Sequence, residues 1–536
     1  MLADSFSVKS RVLAALLVGL FALVLARVVM AWLWPVPLSV DEAQYLVWSR
    51  ELQFGYYSKP PFVAWALSAA TLACPAPGSG TGSGLFGPEG CVRWLQPLAL
   101  AGAAFFVYAT ARALFHRAQI GVWAAVLFLL APLAAFYSQA ATTDAWLLLW
   151  WSASLWAFVK AIGPSKDLGR GLVLGDSLAG QANQSQMAWW IACGVFAGLG
   201  LLTKYSMAVF AASALIVLIQ RRLLLTPGPW LCGLVALLVF SPNLAWNAQW
   251  GWPTITHHAD ITVGQDKGLN LAGLWNFFTA QWLTFSPLVF GMFLWGSLRR
   301  LGRSVLQRSP FEPETSHAIS LLLAFTWPML LVVMTQSALS RAHANWASPV
   351  LVGMSLVVAV WWLANSTNRG ARLPKSAAAG LWGSLLINLL ASVALLASPW
   401  LVKEMGLAGQ RANDPFVRLT GYKEVAIVIG KLNPMPILAS DDRKLLANLA
   451  AYLPKAQVYA FNPTGLKDNH WQLQRDLGLL AKENGASAQR PVLLIQTRTI
   501  GTDSGAGSAS ELGDFKTIRL EGKSDLGVRA SWITAQ

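Results

Sequence analysis

Residues 39–61, SVDEAQYLVWSRELQFGYYSKPP, place two adjacent carboxylates and a lysine directly after a long apolar run. The lysine, Lys59, stands between a tyrosine pair and a proline pair. A carboxylate there can act as general base on a hydroxyl nucleophile. A cation can stabilise the charge that develops on a departing phosphate. Similar groups recur where other apolar runs stop: Asp144 in SQAATTDAW, Lys204 in LLTKYS, Arg341 and His343 in LSRAHANWASP, and His257 and His258 in NAQWGWPTITHH. Ionisable groups at the edge of hydrocarbon are costly, which makes each a functional candidate. Tyr45, Trp48, Tyr56, Tyr57, Trp250 and Trp252 suit an interfacial loop and the stacking of a sugar face.

Each residue also has a structural reading. Ser39 followed by Glu42 fits a capping box, which uses Glu42 and leaves Asp41 over for chemistry. Asp144 either caps the helix that follows it, in competition with Thr142 and Thr143, or is a second functional acid. Lys204 and Arg341 either snorkel to headgroups or meet a phosphate. Arg27, inside the first apolar run, either snorkels or pairs with an acid. His257 and His258 either line a loop or contribute to a site.

The elements that position these groups are membrane helices. The chain has 536 residues, 55% hydrophobic and only 12% charged, with 27 Trp. A soluble domain carries roughly twice that charge. Apolar runs predict about eleven spans, at 12–34, 92–114, 120–138, 145–162, 188–202, 205–220, 229–247, 275–298, 317–337, 346–364 and 377–400. The first is too long for the apolar region of a signal peptide and is expected to remain as a span. The formal charge of +15 is spread over short loops rather than gathered in a stripe, which excludes nucleic acid as a partner. About sixteen Lys and Arg fall on one side and about six on the other, so the N-terminus is expected inside and the C-terminus outside. The candidate chemistry then lies on the extracytoplasmic face.

Beyond Lys403 short apolar runs alternate with helix-like polar segments, the pattern of a small α/β domain. The expected fold is mainly α: a polytopic bundle over 1–402, with juxtamembrane helices within 35–91, and a soluble α/β domain over 403–536 outside the membrane. GTDSGAGSASELG reads as a flexible loop within that domain. Cys74 and Cys91 flank a glycine-rich loop and are candidates for a disulfide if it faces an oxidising compartment.

In order along the chain, VDEAQYLVWSRELQFGYYSKPPFVAW, RWLQPLALAG, SQAATTDAWLLLWW, GLGLLTKYSMAV, FSPNLAWNAQWGWPTITHH and RAHANWASP resemble membrane glycosyltransferases of the GT-C class. Within that class the chain is similar to bacterial relatives of protein O-mannosyltransferases, including the aminoarabinose and galacturonic acid transferases acting on lipid A. The resemblance implies a GT-C bundle in the bacterial inner membrane with its C-terminal domain in the periplasm. It implies a polyprenyl-phosphate-linked sugar donor and a cell-envelope glycolipid or glycan acceptor. Asp41 and Asp144 would be the catalytic acids, and Lys59, Lys204, Arg341 and His343 would bind the donor phosphate. Tyr45, Tyr56, Tyr57 and Trp252 are the expected sugar or acceptor contacts. Aminoarabinose-transferase-like relatives place a metal-binding acid before Lys-Pro-Pro, where this chain has Ser58. A divalent metal ion would then fall to Glu42 with His257 or His258; no other cofactor is indicated. The rival readings are a transporter or flippase of lipid-linked sugars, which would favour ionisable groups at mid-bilayer, a protein O-glycosyltransferase, and an inactive envelope scaffold.

Overall fold

The computed structural model describes residues 2–74, 87–163, 177–263, 268–306, 311–363, 375–410, 412–484, 491–499, 512–519 and 526–534. The glycine-rich segment 75–86 and most of GTDSGAGSASELG lie outside them. The chain forms two compact units, residues 1–30 with 94–396, and residues 31–93 with 397–536. The first outer loop is therefore grouped with the C-terminal segment rather than divided from it at 402/403.

The first unit is helical. Among the described residues of the whole chain, six helices are long and apolar enough to cross a membrane, or seven if one bent pair counts as a span. The expected span 275–298 is that pair: Leu271–Phe285 and Pro287–Gly302 meet at 116°. Ser286 between them has φ 82° and precedes a proline, so the backbone turns where hydropathy shows one continuous run. Expected span 120–138 breaks likewise, into Ala118–Leu130 and Pro132–Tyr137, at a proline that cannot donate an N–H. Val350–Leu363 is buried at every residue, as a helix apolar all round must be when it occupies the middle of a bundle. The helices Ser177–Thr203 and Pro227–Gln249 cross at Gly194 and Gly198. A Cβ on either would lie 2.6 Å from the second helix, on Cys232 O or Val239 Cβ. Small residues spaced by four permit that approach.

The second unit contains a five-stranded sheet: β1 (Ile437–Ser440), β2 (Val458–Ala460), β3 (Pro491–Thr499), β4 (Leu512–Arg519) and β5 (Leu526–Thr534), in the order β2-β1-β3-β5-β4. β1 pairs parallel to β2 and β3, whereas β5 runs antiparallel to β3 and β4. Asp442 caps the helix Arg443–Tyr452 between β1 and β2, a strand–helix–strand crossover as the alternating pattern predicts.

Residues 31–93 are held to this unit by polar contacts. Arg50 donates to Ala450 O and Ala451 O at 2.7 and 2.9 Å, and the Tyr452 hydroxyl accepts from Leu38 N. Ser39 caps the helix Val40–Trp48, with Glu42 N donating to Ser39 Oγ and Ser39 N to Glu42 Oε2 at 2.9 Å, the capping box expected. Glu42 also accepts from Arg93 Nε and Nη2 at 2.7 and 2.8 Å. Arg93 also donates to Val36 O and Pro37 O and lies beside the Trp34 ring. Both side chains are almost wholly buried. Cys74 and Cys91 form a disulfide two residues before Arg93.

A buried ion pair that loses one partner strands the other charge, at a cost of about 3–5 kcal/mol. Glu42→Ala should therefore lower thermal stability in detergent severely. Asp41→Ala, one residue away and exposed, should stay within about 0.5 kcal/mol of wild type. Equal losses in the two variants would contradict this division.

Candidate active site

Asp41 occupies the first turn of the helix Val40–Trp48 and takes no part in the cap. Its carboxylate is 59% exposed and stands 3.9 Å from an exposed Arg443, a pairing that holds it weakly. Lys59 is fixed through its backbone: its carbonyl accepts from Tyr56 N at 3.1 Å, and Pro60 and Pro61 lead into the helix Phe62–Thr71. Thus the second unit presents an exposed, weakly held carboxylate and a backbone-anchored lysine.

Two of the expected sugar contacts do not fit that role. Tyr56 is fully buried, stacked on Trp48 at 4.3 Å, with its hydroxyl donating to backbone carbonyls and accepting from Gln53 N. Tyr45 is buried against the same Trp48. Both are packing residues, each ring pair adding about 1 kcal/mol. His470 completes the cluster; burial, reinforced by Arg475, pushes its imidazole down to about 3, so its Nδ1 is free to accept from Tyr57 N. Tyr57 is half-buried, whereas Trp252 is 43% exposed. Trp252 follows Gly251 with φ 61°, a left-handed conformation that is uncommon for a bulky residue, and it is pinned by its N–H donating to Asn247 O at 2.7 Å.

In the first unit Asp144 opens the helix Thr143–Ala161. It is not the cap, since Thr142 holds that position without a side-chain bond. Instead Lys204 Nζ donates to Asp144 Oδ1 at 2.8 Å, and Ser348 Oγ donates to the same oxygen at 3.1 Å. Lys204 thus does not simply snorkel. It sits at the break between Ser177–Thr203 and the short turn Tyr205–Met207, in extended backbone. Tyr205 next to it donates to Asn243 Oδ1 at 2.8 Å and accepts from Asn247 Nδ2. Asn243 and Asn247, fully buried one helical turn apart, were not singled out from the sequence; a pair of Asn at i, i+4 in an apolar helix is the signal that could have shown them. His258, in the helix Pro253–Val263, packs its ring 5.3 Å from Tyr205.

The turn 340–348 brings Arg341 and His343 to the same region. Ser348 ties it to Asp144, and Tyr137 ties it by donating to Asn345 O at 3.2 Å. Partial burial, with the positive charges of Arg341 and Lys204, holds the His343 imidazole below its ordinary range. Asp144, Lys204, Arg341 and His343 therefore form one electrostatic group, with Tyr137 and Ser348 added by the structure.

A metal does not fit the expected ligands. Both Glu42 oxygens are engaged by Arg93 and the Ser39 backbone, and Ser58 is buried. Among the described residues no group of three His, Cys, Asp or Glu side chains is placed to hold an ion.

The family model for dolichyl-phosphate-mannose-protein mannosyltransferases matches residues 177–246, which include Lys204 and Asn243. Over 441 residues the chain is 29% identical to the lipid A galacturonosyltransferase RgtD of Rhizobium johnstonii, covering 81% of this chain and 82% of that one. Both likenesses are to glycosyltransferases. The chain shares its fold with ArnT from Cupriavidus metallidurans bound to undecaprenyl phosphate, at a TM-score of 0.54 and 16% identity over 96% of this chain and 97% of that one. It is also similar in fold to the Archaeoglobus fulgidus oligosaccharyltransferase in its apo form, with a TM-score of 0.50 and 14% identity over 82% of this chain and 63% of that one.

Two measurements test this geometry. Asp144→Asn and Lys204→Met should couple in a double-mutant cycle of thermal stability by about 0.5–3 kcal/mol. Additive effects would deny the pair. In the ligand-free protein His343 should titrate with a midpoint below 6.5, so that it is largely neutral at pH 7; histidine NMR assigned with His343→Asn reads this, and a midpoint above 6.5 would contradict it.

Proposed function

We propose that the transferase moves a sugar from a polyprenyl-phosphate donor, undecaprenyl-phosphate-like, to a cell-envelope acceptor such as lipid A, at the periplasmic face of the bacterial inner membrane. The observation that carries this reading is the charge of the Asp144 group. Asp144 neutralises Lys204, and among the described residues no acid pairs with Arg341. One net positive charge at the mouth of an apolar bundle suits an anion delivered from the bilayer. The likeness to a lipid A galacturonosyltransferase supports the acceptor class, and the likeness in fold to ArnT bound to undecaprenyl phosphate supports the donor class. The basic residues of the opposite loops support the orientation, with the C-terminal domain in the periplasm.

In this reaction the acceptor hydroxyl oxygen bonds to the anomeric carbon while the bond from that carbon to the phosphate oxygen breaks. The bonding pair leaves with the lipid phosphate, and the hydroxyl proton passes to Asp41. Lys204 and Arg341 stabilise the phosphate as its charge grows. Because a phosphate leaves readily, no strong general acid is needed. Trp252 and Tyr57 remain as the sugar or acceptor contacts.

Asp41→Asn should abolish transfer in cells, with the protein still at wild-type level in the membrane; unaltered glycan modification in that variant would overturn the role of Asp41. Lipid A mass spectra from a deletion strain should lose one sugar increment, and unchanged spectra would redirect the acceptor to proteins or polysaccharides. A purified sample that consumes a polyprenyl-phosphate sugar without a second compartment would exclude the transporter.

A further inference from the structure

The helix that begins at Thr143 ends at Ala161, so Lys160 stands about 24 Å from Asp144 along its axis, at ~1.5 Å per residue. That distance approaches the thickness of a hydrocarbon core, about 30 Å. At this far end lies a cavity of about 620 Å³ whose lining is drawn wholly from the first unit. Arg112, Lys160 and Arg221 line it, and Glu314 is the lone carboxylate in the lining. His116 and His317 add two further nitrogen donors or acceptors.

Topology requires only that cations stand in the loops on this side. It does not require them to converge on a concave volume, nor that volume to continue into an apolar wall. Here it does both. Phe105 lies seven residues before Arg112 on the helix Gln96–Phe115, about 10 Å deeper at ~1.5 Å per residue. Phe105 is 59% exposed, and Tyr108 and Trp156 line the cavity with it. Lys160 is kept at the rim by the Trp189 ring, 5.4 Å from its Nζ. A cationic rim over an aromatic wall matches a ligand with an anionic head and an apolar tail, and basic pockets between helices on this side suit such headgroups. A soluble anion would leave the aromatic wall without a function.

We propose that this pocket binds an anionic phospholipid of the leaflet opposite Asp144, its phosphate held by Arg112, Lys160 and Arg221. None of these residues belongs to the Asp144 group, so the proposal stands apart from the sugar-transfer reading.

The test is native mass spectrometry of the full-length protein in detergent, titrated with phosphatidylglycerol, phosphatidylcholine, undecaprenyl phosphate or sn-glycerol 3-phosphate. Phosphatidylglycerol should be retained in preference to the other three. Arg112→Gln and Arg221→Gln should each weaken that retention about five-fold, the effect of one cation near an anionic lipid surface. Ala109→Trp, which fills the cavity without removing charge, should weaken it as well, and it keeps the test open if an arginine variant fails to fold. Equal retention of phosphatidylcholine, or wild-type retention of phosphatidylglycerol in the variants, would overturn the site. Equal binding of glycerol phosphate would make it a soluble-anion site, and preference for undecaprenyl phosphate would make it a carrier-lipid site; either outcome overturns the proposal.

Discussion

A guanidinium removed from water must find acceptors for its donors and an anion for its charge. Arg93 finds both: Glu42 supplies two oxygens, and the carbonyls of Val36 and Pro37 accept two further donors. The second unit depends on this arrangement. It joins the end of the first outer loop to its start, across the disulfide-bridged segment, and fixes the entry into the helix Val40–Trp48. Glu42 serves the cap and the ion pair together, so neither can be changed alone. Asp41 is consequently the one carboxylate of the pair that folding leaves unused.

The first unit divides its charges by the same logic. Lys204 is spent on Asp144, which Ser348 also holds, while among the described residues no acid pairs with Arg341 on the neighbouring turn. In both units a structural pair consumes one member of a cluster and leaves an adjacent charge of the same sign exposed. Arg27 is the unresolved case. It is buried in the first helix, and none of its side-chain nitrogens has a hydrogen-bond partner among the described residues, so it neither snorkels nor pairs.

Local signals are legible in the sequence because their partners are close. The capping box needs only residues three apart, and the break at Lys204 needs only a polar interruption between apolar runs. The Arg93–Glu42 pair spans 51 residues and leaves no local trace. The tyrosines show the limit of composition. Tyr45, Tyr56 and Tyr57 share one short segment, yet two are buried under Trp48 and His470 contacts that the linear order does not reveal. Hydropathy weighs transfer free energy and ignores direction, so 275–298 reads as one continuous run. At Ser286–Pro287 the chain turns through 116° without becoming more polar.

The state of His343 bears on how the proposed reaction balances charge. A sugar-linked phosphodiester carries one negative charge, and the one uncompensated positive charge of Arg341 matches it. When the sugar departs, the lipid phosphate becomes a monoester and approaches a second charge, since such groups carry about −1.5 to −2 near neutral pH. A further fixed cation would oversatisfy the donor before reaction and bind ground state and product alike, which does not lower the barrier. An imidazole held neutral by Arg341, Lys204 and partial burial avoids this. The growing anion opposes the same cations that keep His343 unprotonated, so the site can take up a proton as charge develops. The turn that carries His343 is tied to Asp144 through Ser348, which places this adjustable charge beside the fixed ones rather than on a separate element.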